Sequence, residues 1–172
     1  MKRLFLFLIA AAGTTFFTSC EGPEGPPGPP GPTGYSAEAE VFEVNANFNA
    51  FNNYSQTYAL TPHILPSDNI LVYELYAVEQ GIDAWALLPQ VYYFPGFGQA
   101  QYNFNFSYDQ FTLLIDADFD RNLLPASFVQ NKIFRIVIIP GYFSARWGVD
   151  INDYNAVIRA LNLEGKPIKQ LN

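Results

Sequence analysis

The chain has 172 residues, 49% of them hydrophobic and 17% aromatic, with 9 basic against 16 acidic residues and a net charge of −7. That length holds one domain of ordinary size plus a tail. One Cys and one His exclude an intramolecular disulfide, a Cys-based zinc site and a His-pair metal helix, and the acidic balance repels phosphate backbones, which argues against nucleic acid as a partner.

The first elements concern placement. Lys2-Arg3 is a short positive region, and Leu4 to Ala12 is an apolar run of export-signal length, shorter than the roughly 20 residues of a membrane span. It leads to Phe17-Thr18-Ser19-Cys20. Small residues before the chain's only Cys resemble the lipobox of bacterial lipoproteins. That resemblance implies a signal peptide over 1–19, a diacylglyceryl group on Cys20 and attachment to a lipid bilayer. The alternative is an ordinary signal, cleaved or kept as an N-terminal anchor, with an incidental Cys20. Removal of residues 1–19 takes Lys2 and Arg3 and leaves 7 basic against 16 acidic residues, a net charge of −9.

Residues 20–35 form a spacer. Gly recurs at 22, 25, 28, 31 and 34, and Pro23, Pro26, Pro29 and Pro32 follow the first four. Gly at every third position is collagen spacing, and proline fixes φ near the polyproline II value, so the run is extended with or without trimerisation. Four complete triplets are too few to hold three chains unaided. A stiff monomeric spacer is the favoured reading and a homotrimeric stalk, helped by contacts between heads, is the alternative.

The head domain is expected over 36–172, all-β in the main. Phe42, Val44, Ala46 and Phe48 alternate with Glu43, Asn45 and Asn47, the period of a strand with one wet face. A turn over 49–53 leads to a second strand, Tyr54 to Leu60. Pro62 and Pro66 break the next segment into a connection. Asn69 to Val78 is apolar on both faces apart from Glu74, as a central strand would be. After a turn at 80–83, Ala84 to Leu88 and Val91 to Phe94 read as one strand interrupted at Pro89, a bulge or an edge.

Beyond the turn at 95–98, Tyr102, Phe104, Phe106 and Tyr108 alternate with Gln101, Asn103, Asn105 and Ser107, and Phe111, Leu113, Ile115, Ala117 and Phe119 repeat the pattern after a turn at Asp109-Gln110. A crossover over 120–131 precedes the apolar strand Ile133 to Ile139. The period then changes: Ile151, Tyr154, Val157, Ile158 and Leu161 share one helical face, with Asp150 or Asn152 as N-cap and Gly165 just past the end. The sum is an antiparallel β-sandwich-like domain of about seven strands with one C-terminal helix.

The lipobox and Gly-X-Y run together resemble those of uncharacterised collagen-like lipoproteins of Bacteroidota-type bacteria. The segments Val41-Phe42-Glu43-Val44-Asn45, Leu87-Leu88-Pro89-Gln90-Val91-Tyr92-Tyr93 and Asp153-Tyr154-Asn155-Ala156-Val157 look like that group's head. The resemblance implies the cell envelope, anchored to the outer membrane on its periplasmic or surface face, and brings no activity with it.

Chemistry-bearing motifs are sparse, and no cofactor is nominated. Asp116, Asp118 and Asp120 open like a calcium-binding EF-hand loop, but Arg121 stands where the sharp turn needs Gly and Ser127 where a bidentate Glu belongs, so they read as solvated surface. His63 neighbours Ser67 and Asp68 without nucleophile-elbow glycines, and proximity in sequence is not a triad. A hydrolase ranks behind a binding module and behind a structural, possibly trimeric, envelope component. The functional candidates are aromatic. Trp85, Tyr92, Tyr93, Phe97, Tyr142, Phe143 and Trp147 lie on or beside turns and edges, where rings stack on sugars or a protein partner or, alternatively, serve burial alone.

Overall fold

The computed structural model describes residues 38–144 and 148–171. These residues are mainly β: among them two sheets carry nine strands, and the helices are few and short. One sheet has five strands in the order β4-β3-β8-β1-β9, formed by Ile82–Leu87, Asn69–Glu79, Lys132–Ile139, Glu40–Ala46 and Lys169–Gln170. The other has four in the order β2-β7-β6-β5, formed by Ser55–Ala59, Gln110–Ala117, Gly98–Phe106 and Gln90–Phe94.

Two differences from the expected strand count have physical causes. The stretch around Pro89 is not one interrupted strand. Backbone hydrogen bonding takes β4 to β3 in one sheet and β5 to β6 in the other, so the chain changes sheets at Leu88–Pro89 and both strands are edges. The second addition is β9, two residues that pair parallel with β1 through Phe42 and Glu43 and make the five-stranded sheet mixed. Every other pairing is antiparallel.

Alternation did place the faces. Phe42, Val44, Ala46 and Phe48 are all buried, as are Phe111, Leu113 and Ile115 on β7. With Ile70, Val72, Tyr102, Phe134 and Ile136 they form one core between the two sheets. Burial of each such Phe or Ile is worth about 1.5–3 kcal/mol relative to exposure. At the end of β6 and just beyond it the pattern weakens, because Phe106 and then Tyr108 run past the core and are exposed.

The opposite face of the five-stranded sheet carries a second core. Val41, Leu71, Tyr73, Val137 and Ile139 pack there against Tyr154, Val157 and Leu161. Tyr154 and Val157 belong to helix α3, Tyr154–Ala160, and Leu161 is its C-cap; the two short helices before it are α1, Ala126–Val129, and α2, Gly141–Ser144. The cap of α3 is Asp153, whose carboxylate accepts from Ala156 N at 3.0 Å, rather than Asp150 or Asn152. Asp150 instead accepts from Asn152 N at 2.9 Å in a local turn. The left-handed residue that closes the helix is Asn162, φ 54°, and Gly165 lies in the next turn.

Candidate functional site

Cys20, the spacer and Trp147 lie outside the described residues. Among the other aromatic candidates the structure separates two groups. Trp85 is half-buried under Arg135, whose guanidinium lies 4.0 Å from its ring centroid. The same Arg135 reaches Glu43 at 3.1 Å and the Tyr154 hydroxyl at 3.2 Å, so that ring fixes a salt-bridged cluster over the second core. Tyr92 faces inward against Tyr102 and Phe128 and donates its hydroxyl to Glu74 Oε2 at 2.6 Å. Phe143 packs on the second core.

Tyr93, Phe97 and Tyr142 are exposed, at 81%, 56% and 65%. The structure brings the first two together at the end of β5 and the turn into β6, where Phe97 rests on Phe119 at 5.9 Å between centroids. Tyr142 stands apart on α2, beside Phe143.

Register places polar partners beside Tyr93. On the outer face of the four-stranded sheet one row reads Val91, Gln101, Asp116 and the next reads Tyr93, Gln99, Asp118. Two shallow hollows of about 440 and 520 Å³ share Gln99 and Asp118; the first is lined further by Val91, Gln101 and Asp116, the second by Tyr93, Pro95 and Phe97. Asn103 and Asn105 extend the amide series along β6, with Asn103 Nδ2 3.3 Å from Asp116 Oδ2. The site therefore combines flat apolar rings with amides, which both donate and accept, and carboxylates, which accept.

The β5–β6 turn is locked from below. Gln99 N donates to Asp118 Oδ1 at 2.8 Å, and Asp118 N donates to Gln99 O at 3.1 Å. Gly98 has φ +144°, and a Cβ there would collide with the Asp118 carboxylate. Only glycine lets strand β6 begin this close to Asp118. The three carboxylates of the calcium-like run accordingly take separate protein partners: Asp116 meets Asn103, Asp118 holds the turn, and Asp120 accepts from Asn122 N at 3.0 Å.

The residues near His63 are likewise structural. Asp68 is buried and accepts from Leu65 N at 2.9 Å and from Gly141 N at 3.0 Å, which pins a loop to the start of α2. The His63 ring stands edge-on to Tyr108, 5.3 Å between centroids.

Gln99 and Gln101 were not among the candidate residues of the sequence, and Asp116 and Asp118 read there as solvated surface. Their signal was present in the alternation: the wet face of β6 from 99 to 105 carries Gln, Gln, Asn and Asn and no Lys, Glu or Arg. A face that serves only solubility is normally charged. No family model matches the chain, and neither a curated protein nor a solved structure matches it.

Proposed function

We propose that this chain is an envelope lipoprotein, lipid-anchored to the outer membrane through Cys20, whose sandwich-like head is a binding module for neutral glycans. The observation that carries the glycan reading is the row of Tyr93, Gln99 and Asp118 beside Val91, Gln101 and Asp116 on one open sheet face. A sugar ring offers an apolar C–H face for stacking and a rim of hydroxyls for amides and carboxylates, which is the complement of that surface. The acidic charge of the chain and two carboxylates in the hollow work against uronic or sulfated sugars.

Binding to arrayed neutral polysaccharides tests the site. The head is expected to retain one or more of them, and Tyr93→Ala is expected to weaken binding about tenfold, since an aromatic contact is worth about 0.5–1.5 kcal/mol beyond its area and 1.4 kcal/mol is a factor of ten. Gly98→Ala, which displaces the turn under Tyr93, is expected to act in the same direction. Absence of binding to every neutral polysaccharide, or undiminished binding by Tyr93→Ala, would overturn the reading.

Anchoring rests on the sequence pattern at 1–20, and on the acyl chains that together hold a lipoprotein at the membrane, each buried CH₂ adding about 0.8 kcal/mol. Cells fed labelled palmitate are expected to label the wild-type chain and not Cys20→Ala. Equal labelling of both would remove the anchor.

A further inference from the structure

The rows that carry the glycan reading do not stop at Gln101. Directly opposite residues of paired strands share a face, so Asn103, Leu114 and Ser55 make a third row across β6, β7 and β2, and Asn105, Thr112 and Thr57 a fourth. In the fourth, the two threonine hydroxyls lie 2.8 Å apart. Gln99, Gln101, Asn103 and Asn105 thus form one line along β6. At about 3.4 Å per residue that line is about 20 Å long.

The four amides are not equally occupied. Asn103 Oδ1 accepts from Phe104 N at 2.8 Å, a donor that β5 does not reach because its pairing with β6 ends at Tyr102, and Asn103 Nδ2 faces Asp116. The side-chain amides of Gln99, Gln101 and Asn105 make no hydrogen bond among the described residues. Each therefore keeps a carbonyl and an amino group for hydroxyls from outside. Apolar surface lies between them, from Tyr93 and Val91 in the first two rows to the half-buried Leu114 in the third. These four rows hold no Lys, Arg or Glu, and their carboxylates, Asp118 and Asp116, stand in the first two.

Such a line is longer than one or two sugar rings. The end of a glycan chain is recognised by a closed pocket that surrounds it, whereas the hollows here are shallow and lie on an open face. Resting on the glycan reading, we propose that the ligand is an extended neutral polysaccharide, of which an internal stretch of several units lies along β6 across all four rows. Tyr93 stacks on a ring at one end. Gln99 and Gln101 take hydroxyls beside it, and Asn105 with the Thr57–Thr112 pair takes those at the other end. Each further unit meets another row, so affinity rises with chain length until the fourth row is covered.

The test is a calorimetric titration of the full-length chain, in mild detergent, with size-graded fragments of linear glucan, mannan and xylan, from disaccharide to hexasaccharide. In at least one series the hexasaccharide is expected to bind about tenfold or more tighter than the disaccharide, since each added row contributes further hydrogen bonds. Asn105→Ala, an exposed position whose side chain holds no other described residue, is expected to weaken the hexasaccharide about fivefold, the effect of one lost hydrogen bond, and to leave the disaccharide unchanged. Tyr93→Ala is expected to weaken both. No gain with length in any series, or a hexasaccharide indifferent to Asn105→Ala, would overturn the proposal, and retention of arrayed neutral polysaccharides would then leave the glycan reading standing. Failure to retain any of them removes both.

Discussion

Glu74→Ala is expected to lower the unfolding free energy by about 3–5 kcal/mol, the range for removing one partner of a buried ion pair. Glu74 is 1% exposed, in a strand that from Ile70 to Val78 is otherwise apolar on both faces. Its two oxygens divide the work: Oε1 lies 3.0 Å from Lys132 Nζ, and Oε2 accepts the Tyr92 hydroxyl at 2.6 Å. The first contact stays within the five-stranded sheet, from β3 to the first residue of β8. The second reaches β5, the edge of the four-stranded sheet. Alanine leaves an ammonium and a phenol without this partner, while the Tyr102 ring stays 5.5 Å from Lys132 Nζ. Urea unfolding of Glu74→Ala, and of Glu74→Met with Lys132→Met, separates the charge from the packing. The double variant is expected to lie nearer to wild type than the single one, since neither charge is then stranded. A single variant within about 1 kcal/mol of wild type, the usual range of an exposed pair, would show that the carboxylate does not hold the sheets together.

The second large effect is expected at alkaline pH, where the fold should be lost cooperatively. Burial is the leading cause that raises the phenols of Tyr58, Tyr73, Tyr92, Tyr102 and Tyr154, and Tyr58 is pushed up to about 12. For Tyr92 the hydrogen bond to Glu74 adds to it, and for Tyr154 the Arg135 guanidinium partly offsets it. Each is an acid whose folded value lies above the unfolded one near 10. The native state therefore keeps protons that the unfolded chain releases, and this contribution to stability is whole below pH 10 and is lost as pH rises through the folded values. Tyr58 alone accounts for about 2–3 kcal/mol across pH 10 to 12, at 1.36 kcal/mol per pKa unit. Its hydroxyl is buried with no hydrogen-bond partner among the described residues, so Tyr58→Phe is expected to move the transition to higher pH. Near-UV circular dichroism titrated above pH 10 reads the transition. A signal that persists beyond pH 12, or a Tyr58→Phe midpoint at or below that of wild type, would contradict it.

The strands that are legible in the sequence are those whose two faces meet different media. Phe42-Val44-Ala46-Phe48 and Phe111-Leu113-Ile115 alternate because one side packs on the other sheet and the other side is wet. Ile133 to Ile139 is nearly continuous, broken by Arg135 alone, because both of its faces are covered, one by each core. The misreading at Pro89 has the same root. Periodicity reports which side of a strand is buried, and says nothing of which sheet buries it, so β4 and β5 look like one element. Strand β9 carries no pattern at all over two residues and exists because β1 offers it a free edge.

The candidate site divides similarly. That Tyr93 and Phe97 lie near a turn was readable, whereas Trp85, Tyr92 and Phe143 share that local setting and are drawn inward by Arg135, Glu74 and the second core. A ring's fate depends on what the far parts of the chain place beside it, and local sequence does not contain that.

By itself the sequence determined the mainly β class, the wet and dry faces of most strands and the helix after them, because pleat and helix period are local properties of the backbone. Only the tertiary structure decided that β4 and β5 belong to different sheets, that Glu74 joins them, and that Gln99, Gln101, Asp116 and Asp118 stand in rows with Val91 and Tyr93. Those facts are cross-strand registers, and register is fixed by the packing of residues far apart in the chain.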